Sequence, residues 1–181
     1  MRFNEYLANF EDEEIMFAVK HSTILNSAED VFNVGSLTEF EFETIKDLQH
    51  EINKGATWDI IVGFMERLTG IKKEELYKKD WTDIFKFKNY VYAQIINICN
   101  IEQQTLVGEA TDLQIRAGVD KFNVLGVYMQ YRTLAGNDIT KIAIVKKMKY
   151  TDCFLELYCQ KLLSDYEKNY IELIRRENSV K

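Results

Sequence analysis

Apolar positions along most of this chain recur every three or four residues, the spacing that lines one face of an α-helix. Ile45, Leu48 and Ile52 keep that spacing after Thr38 and Glu41, which form a capping-box pair, and Gly55 stands just beyond them. A helix is therefore expected over about 39–54. The run Glu39-Phe40-Glu41-Phe42-Glu43 alternates as a strand would, but the cap and the later spacing outweigh it. Thr57 is placed to cap a second helix, marked by Trp58, Ile61, Val62, Met65 and Leu68 and closed by Gly70. Residues 72–79 read as one or two charged helical turns. Asp80, with Asp83 three residues on, opens the clearest long helix. Its apolar stripe runs through Trp81, Ile84, Phe85, Val91, Tyr92, Ile95, Ile98 and Cys99, with Lys88 its only polar member.

The second half repeats the pattern less cleanly. A helix begins near Thr111 with Leu113 and Ile115, Gly118 interrupts it, and Val119, Phe122, Leu125, Val127 and Tyr128 resume the spacing. Gly136 followed by Asp138 is a stop and a new N-cap, giving a modest helix to about Met148. The last helix starts at Thr151 or Asp152 and carries Leu155, Tyr158, Leu162, Tyr166 and Leu173. At about 25 residues it spans roughly 37 Å, long enough to project or to pack on a neighbour. The N-terminal part differs. Phe3, Tyr6, Leu7 and Phe10 precede the acidic run Glu11-Asp12-Glu13-Glu14, and residues 21–35 have no helical period. The fold class expected is all-α. We expect a single domain over 1–181, a bundle of about six to eight helices, with 1–37 as a less regular arm and a long C-terminal helix.

Composition narrows the class. With 46 % hydrophobic and 29 % charged residues over 181 positions, the chain has enough apolar material for a core and is not a disordered one. Proline is absent, where average usage of roughly 5 % would give about nine. Long uninterrupted helices are therefore permitted. No apolar run approaches the ~20 residues of a bilayer span, so no membrane partner is expected, and the N-terminal residues lack the apolar core of a signal peptide. Three widely spaced cysteines fit synthesis in a reducing cytoplasm. The net charge of −6 is uneven: residues 1–60 hold 4 Lys/Arg against 13 Asp/Glu, and the rest hold 19 against 16. An acidic end and a mildly basic end suit head-to-tail packing of copies. Sequence-specific nucleic-acid binding would call for a strongly basic face, which this chain lacks.

Chemistry finds little to build on. Cys153 and Cys159 stand about 240° apart round a helix, and His50-Glu51 lacks the second histidine of a zinc-protease helix. No nucleophile elbow and no phosphate-cradling glycine loop is present, and no cofactor or metal is expected. An enzyme is not expected. Aromatic content, at 13 %, is the residual signal. Tyrosine is favoured where an apolar body meets water or a partner. The interface candidates are therefore Tyr128, Tyr131 and Arg132, then Tyr158, Tyr166 and Tyr170, together with the acidic run Glu11, Asp12, Glu13 and Glu14.

Two segments resemble small helical proteins of tailed-bacteriophage virions. Thr57-Trp58-Asp59-Ile60-Ile61, followed by Met65 through Ile71, Glu74-Glu75-Leu76 and Trp81 to Tyr90, is similar to tail assembly chaperones and neighbouring tail proteins. Ala117-Gly118-Val119-Asp120, Leu134 through Asp138, and Met148 through Asp152 look like neck and tail ring proteins of crAss-like phages. The two stretches cover about half of the chain. The resemblance implies a non-enzymatic virion component, made in the host cytoplasm and acting through interfaces with other virion proteins and with copies of itself in a cyclic homo-oligomer. Its alternatives are a tail assembly chaperone that binds another tail protein and a small host-directed regulatory protein.

Overall fold

The computed structural model describes residues 2–5, 27–108 and 110–179. Among them the protein is all-α, with eight α-helices, three short 3-10 turns and no strand. The helices are α1 (Phe42–Lys54), α2 (Trp58–Thr69), α3 (Lys73–Leu76), α4 (Trp81–Thr105), α5 (Asp112–Arg116), α6 (Val127–Leu134), α7 (Ile142–Lys146) and α8 (Tyr150–Ser179). Contacts divide the chain into two compact units. The first comprises Met1–Phe40 with Thr44–Cys99, and the second Glu41–Glu43 with Asn100–Lys181.

Unit 1 holds most of the buried apolar side chains, including Ile45, Leu48, Val62, Met65, Ile84, Phe87, Val91 and Ile95. All but Phe87 come from the predicted faces of α1, α2 and α4, and Phe87 is a buried residue of α4 outside the predicted stripe. An aromatic cluster joins them: Phe3 is fully buried, edge-on to Trp58 at 5.0 Å and stacked on Tyr77 at 5.9 Å, and Trp58 meets Phe85 at 4.8 Å. Rings in such offset and edge contacts add about 0.5–1.5 kcal/mol per pair beyond their burial. Backbone bonds from Phe3 N to Lys79 O (3.0 Å) and Asn4 N to Tyr77 O (3.2 Å) fix this N-terminal aromatic in place.

Helix starts differ in detail from the expectation. Thr38 and Glu41 form no capping box. Instead Ser36 caps a 3-10 turn over Leu37–Glu39, and α1 begins only at Phe42. The α2 stop is as expected: Gly70 takes φ 72°, a left-handed conformation, and its N–H closes on Glu66 O. Before α4, the Asp80 carboxylate accepts from Thr82 N at 2.8 Å and Thr82 Oγ1 at 2.7 Å. Burial alone would raise its pKa, but these hydrogen bonds outweigh it and hold the carboxyl below its usual value.

The irregular segment before α1 is anchored over 27–37. Asp30 accepts from Val34 N (2.9 Å) and Gly35 N (2.7 Å), closing the loop on itself. Tyr90 Oη then donates to Gly35 O (2.6 Å), Asn89 to Ser27 O (2.9 Å), and Lys86 pairs with Glu29 (2.9 Å). Polar side chains on α4 thus satisfy loop backbone that has no helix to satisfy it. The acidic run Glu11–Glu14 lies outside the described residues.

Unit 2 is built around a much smaller core. Phe42 is fully buried, edge-on to Tyr131 (5.6 Å) and tilted against Tyr150 (5.9 Å), with Val145, Ala135 and Cys153 buried as well. Phe42 N donates to Met148 O at 2.8 Å. Tyr150 donates to Glu102 at 2.6 Å, and Lys146 pairs with Glu43 at 2.7 Å while its ammonium stands 5.3 Å over the Tyr131 ring. Gly118, at φ 85°, is a true break, because a side chain there would be strained. Residues 119–125 then wind as a 3-10 turn in place of the expected α-helix. The last helix, α8, runs 30 residues, about 45 Å at 1.5 Å per residue, longer than its apolar stripe predicts.

Candidate functional site

Apolar surface is distributed very unevenly. Among the described residues, the large hydrophobic side chains that stand exposed all belong to unit 2 apart from Ile96. Two groups stand out, beside scattered positions such as Val107, Ile139 and Ile144. One covers α5 and the following turn, with Leu113 70 % and Val124 87 % exposed. The other runs along α8: Leu155, Leu162, Leu163, Tyr166, Tyr170, Leu173 and Ile174. At 100° per residue these α8 positions share one arc about 120° wide, with exposed Ile171 about 60° beyond its edge, while Lys161, Lys168, Glu172 and Arg175 occupy the opposite side. A helix of that pattern ordinarily buries its stripe. This one leaves it in solvent among the described residues.

The predicted interface residues divide accordingly. Tyr166 (65 % exposed) and Tyr170 stand on the α8 stripe, stacked on each other at 6.1 Å. Tyr158 is half-buried and stacked on Phe154 at 6.3 Å. Tyr128 is exposed at the start of α6, and Arg132 is exposed with its Nε donating to Asn137 at 3.1 Å. Tyr131 is different. It is only 5 % exposed and forms part of the unit 2 core, because its position on α6 turns it toward Phe42. Sequence reading missed Leu163, Ile174 and the α5 group as surface. The spacing does not reveal that unit 2 supplies too few packing partners to cover them.

Unit 1 contains a shallow cleft of about 300 Å³, open solvent included, lined by Leu48, Ile52, Phe64, Met65, Lys88 and Tyr92 among others. Lys88 Nζ stands 5.2 Å from the Trp58 ring, 5.2 Å from Phe85 and 5.3 Å from Tyr92. Burial lowers its pKa from the ordinary 10.5 and raises that of Tyr92. The polar gap in the α4 stripe therefore marks a half-buried amine whose charge is penalised by burial and only partly compensated by the three ring faces. Among the described residues, no group of three or more His, Cys, Asp or Glu is arranged to hold a metal. No helix among them is long and apolar enough to cross a membrane.

Among the described residues, unit 1 is firmly packed and unit 2 carries an exposed apolar face. No protein-family model, curated protein or solved structure matches the chain.

Proposed function

We propose that this protein is a non-enzymatic assembly subunit of a tailed-phage virion, a neck or tail ring or connector component that acts through protein–protein interfaces. The observation that carries this reading is the uncovered apolar face of unit 2. Exposed patches beyond a few hundred Å² are uncommon on soluble monomers and mark interaction sites. The α8 stripe alone, with Leu162, Leu163, Tyr166 and Tyr170 each more than half exposed, is of that kind. The virion assignment draws on the resemblance of residues 57–90 and 117–152 to tail and neck proteins. The partners are other virion proteins and further copies of this chain in a cyclic homo-oligomer, and the uneven charge, acidic over 1–60 and mildly basic beyond, favours ordered contacts between copies.

The same uncovered face suits a tail assembly chaperone, which would bind an aggregation-prone tail protein and then be left behind. Mass spectrometry of purified virions separates the two. Presence at a fixed copy number supports the structural subunit, and absence from particles refutes it in favour of the chaperone.

A further inference from the structure

We infer that α8 is a self-pairing helix: two copies of this chain join through a parallel, in-register seam along its apolar stripe. This rests on the proposed assembly role and names the partner for that surface. The seam is Leu155, Cys159, Leu162, Tyr166, Asn169 and Leu173, whose successive spacings are four, three, four, three and four. That is the heptad rhythm of a two-stranded coiled coil, which keeps one narrow face toward its partner along the whole contact. All six are exposed. The large apolar side chains of the stripe, from Leu155 to Ile174, are 39–65 % exposed, which amounts to several hundred Å² and is the scale of one partner's share of a standard interface, about 800 Å². A second copy therefore covers this face with an area sufficient for a stable pair.

Orientation follows from the one amide in the seam. In a parallel pair in register, Asn169 meets the partner's Asn169, and each amide has both a donor and an acceptor to offer. By these spacings Asn169 is a d position, and any slip from that register would bury its amide against an apolar side chain without a partner. The antiparallel arrangement that keeps the apolar layers together sets Leu155 against the partner's Leu173 and Leu162 against the partner's Tyr166. It leaves Asn169 facing the partner's Cys159, a weak hydrogen-bonding group. The parallel register also brings Cys159 against the partner's Cys159. In one copy Cys159 is an exposed free thiol.

The test treats the full-length chain with a short bismaleimide, with Cys159→Ser as control, and compares native mass with that of the double variant Leu162→Glu, Tyr166→Glu. The unmodified chain is expected to give a covalent dimer that Cys159→Ser abolishes. The double variant is expected to dimerise at least ten-fold more weakly with unchanged helical circular dichroism. A second variant, Asn169→Leu, keeps the seam apolar and is expected to pair without a single register, so cross-linking at Cys159 falls while association persists. A monomer throughout the accessible concentration range overturns the proposal, as does a dimer that the Leu162/Tyr166 change leaves intact. Association without Cys159 cross-linking overturns the parallel register. Each of these results leaves the virion reading standing if the protein is found in particles, whereas its absence from particles removes that reading and leaves the helix pairing untouched.

Discussion

Replacing Phe42 by alanine should unravel unit 2 while leaving most of unit 1 folded. Phe42 has no exposed surface and supplies the ring against which both Tyr131 and Tyr150 pack, at 5.6 and 5.9 Å. Truncating a buried phenylalanine costs about 3–5 kcal/mol, and two lost ring contacts place this site toward the upper end. Whole domains are stable by only about 5–15 kcal/mol. In a core as small as that of unit 2 there is little surrounding material to collapse into the cavity. The backbone bond from Phe42 N to Met148 O survives the change, so the loss is attributable to the side chain. The assay is urea unfolding followed by far-ultraviolet circular dichroism, alongside amide hydrogen exchange. Amides of Val145, Tyr150 and Cys153 should lose protection first, and those of Val91 and Ile95 should keep most of theirs. Trp58 and Trp81 both lie in unit 1, so tryptophan fluorescence follows that unit separately. A cost below about 1 kcal/mol would refute the reasoning that Phe42 centres a small core, as would protection lost equally in both units.

Other consequences can be checked with single variants. Lys88 has a folded pKa below its unfolded 10.5, so between the two values the unfolded chain holds the extra proton. Stability should therefore rise with pH across that window, the penalty being fully present below the folded pKa. Lys88→Met should flatten this rise in a series of urea midpoints toward pH 10.5, and an unchanged slope would exclude the lysine as its source. Gln130 Oε1 is buried without a hydrogen-bond partner among the described residues. Gln130→Met should thus raise stability by about 1 kcal/mol, read as an increase in the thermal midpoint. Thr111 and Gln114 form a reciprocal capping box at the start of α5. Thr111→Ala should cost about 1 kcal/mol locally, visible as faster exchange over Asp112–Arg116.

Much of the fold was legible because α1, α2 and α4 each carry a strong periodic face and a glycine or aspartate at an end. Gly70 and Asp138 do what their positions predict, a left-handed stop and an N-cap that accepts from Thr140 N at 3.0 Å. Start points were harder. The α1 start is fixed by Phe42 packing on Tyr131 and Tyr150, far away in sequence, and local capping chemistry at Thr38 does not see that contact. The 119–125 turn kept apolar residues at helical spacing yet wound as 3-10, because Gly118 and Gly126, both at positive φ, bracket it. For the surface, aromatic content singled out Tyr166 and Tyr170 as interface candidates, and both are exposed. It could not separate them from Tyr131, since burial is decided by which helix faces which. Lys88 was visible as the single polar break in the α4 stripe, but not the three rings that surround it.

The claim on which the rest depends is that the uncovered face of unit 2 is an assembly surface for copies of this chain. Native mass spectrometry of the unmodified full-length protein over a range of concentrations tests it most directly. The account predicts species at whole multiples of the 21.3 kDa chain, growing with concentration. A single species at 21.3 kDa at every concentration would contradict it.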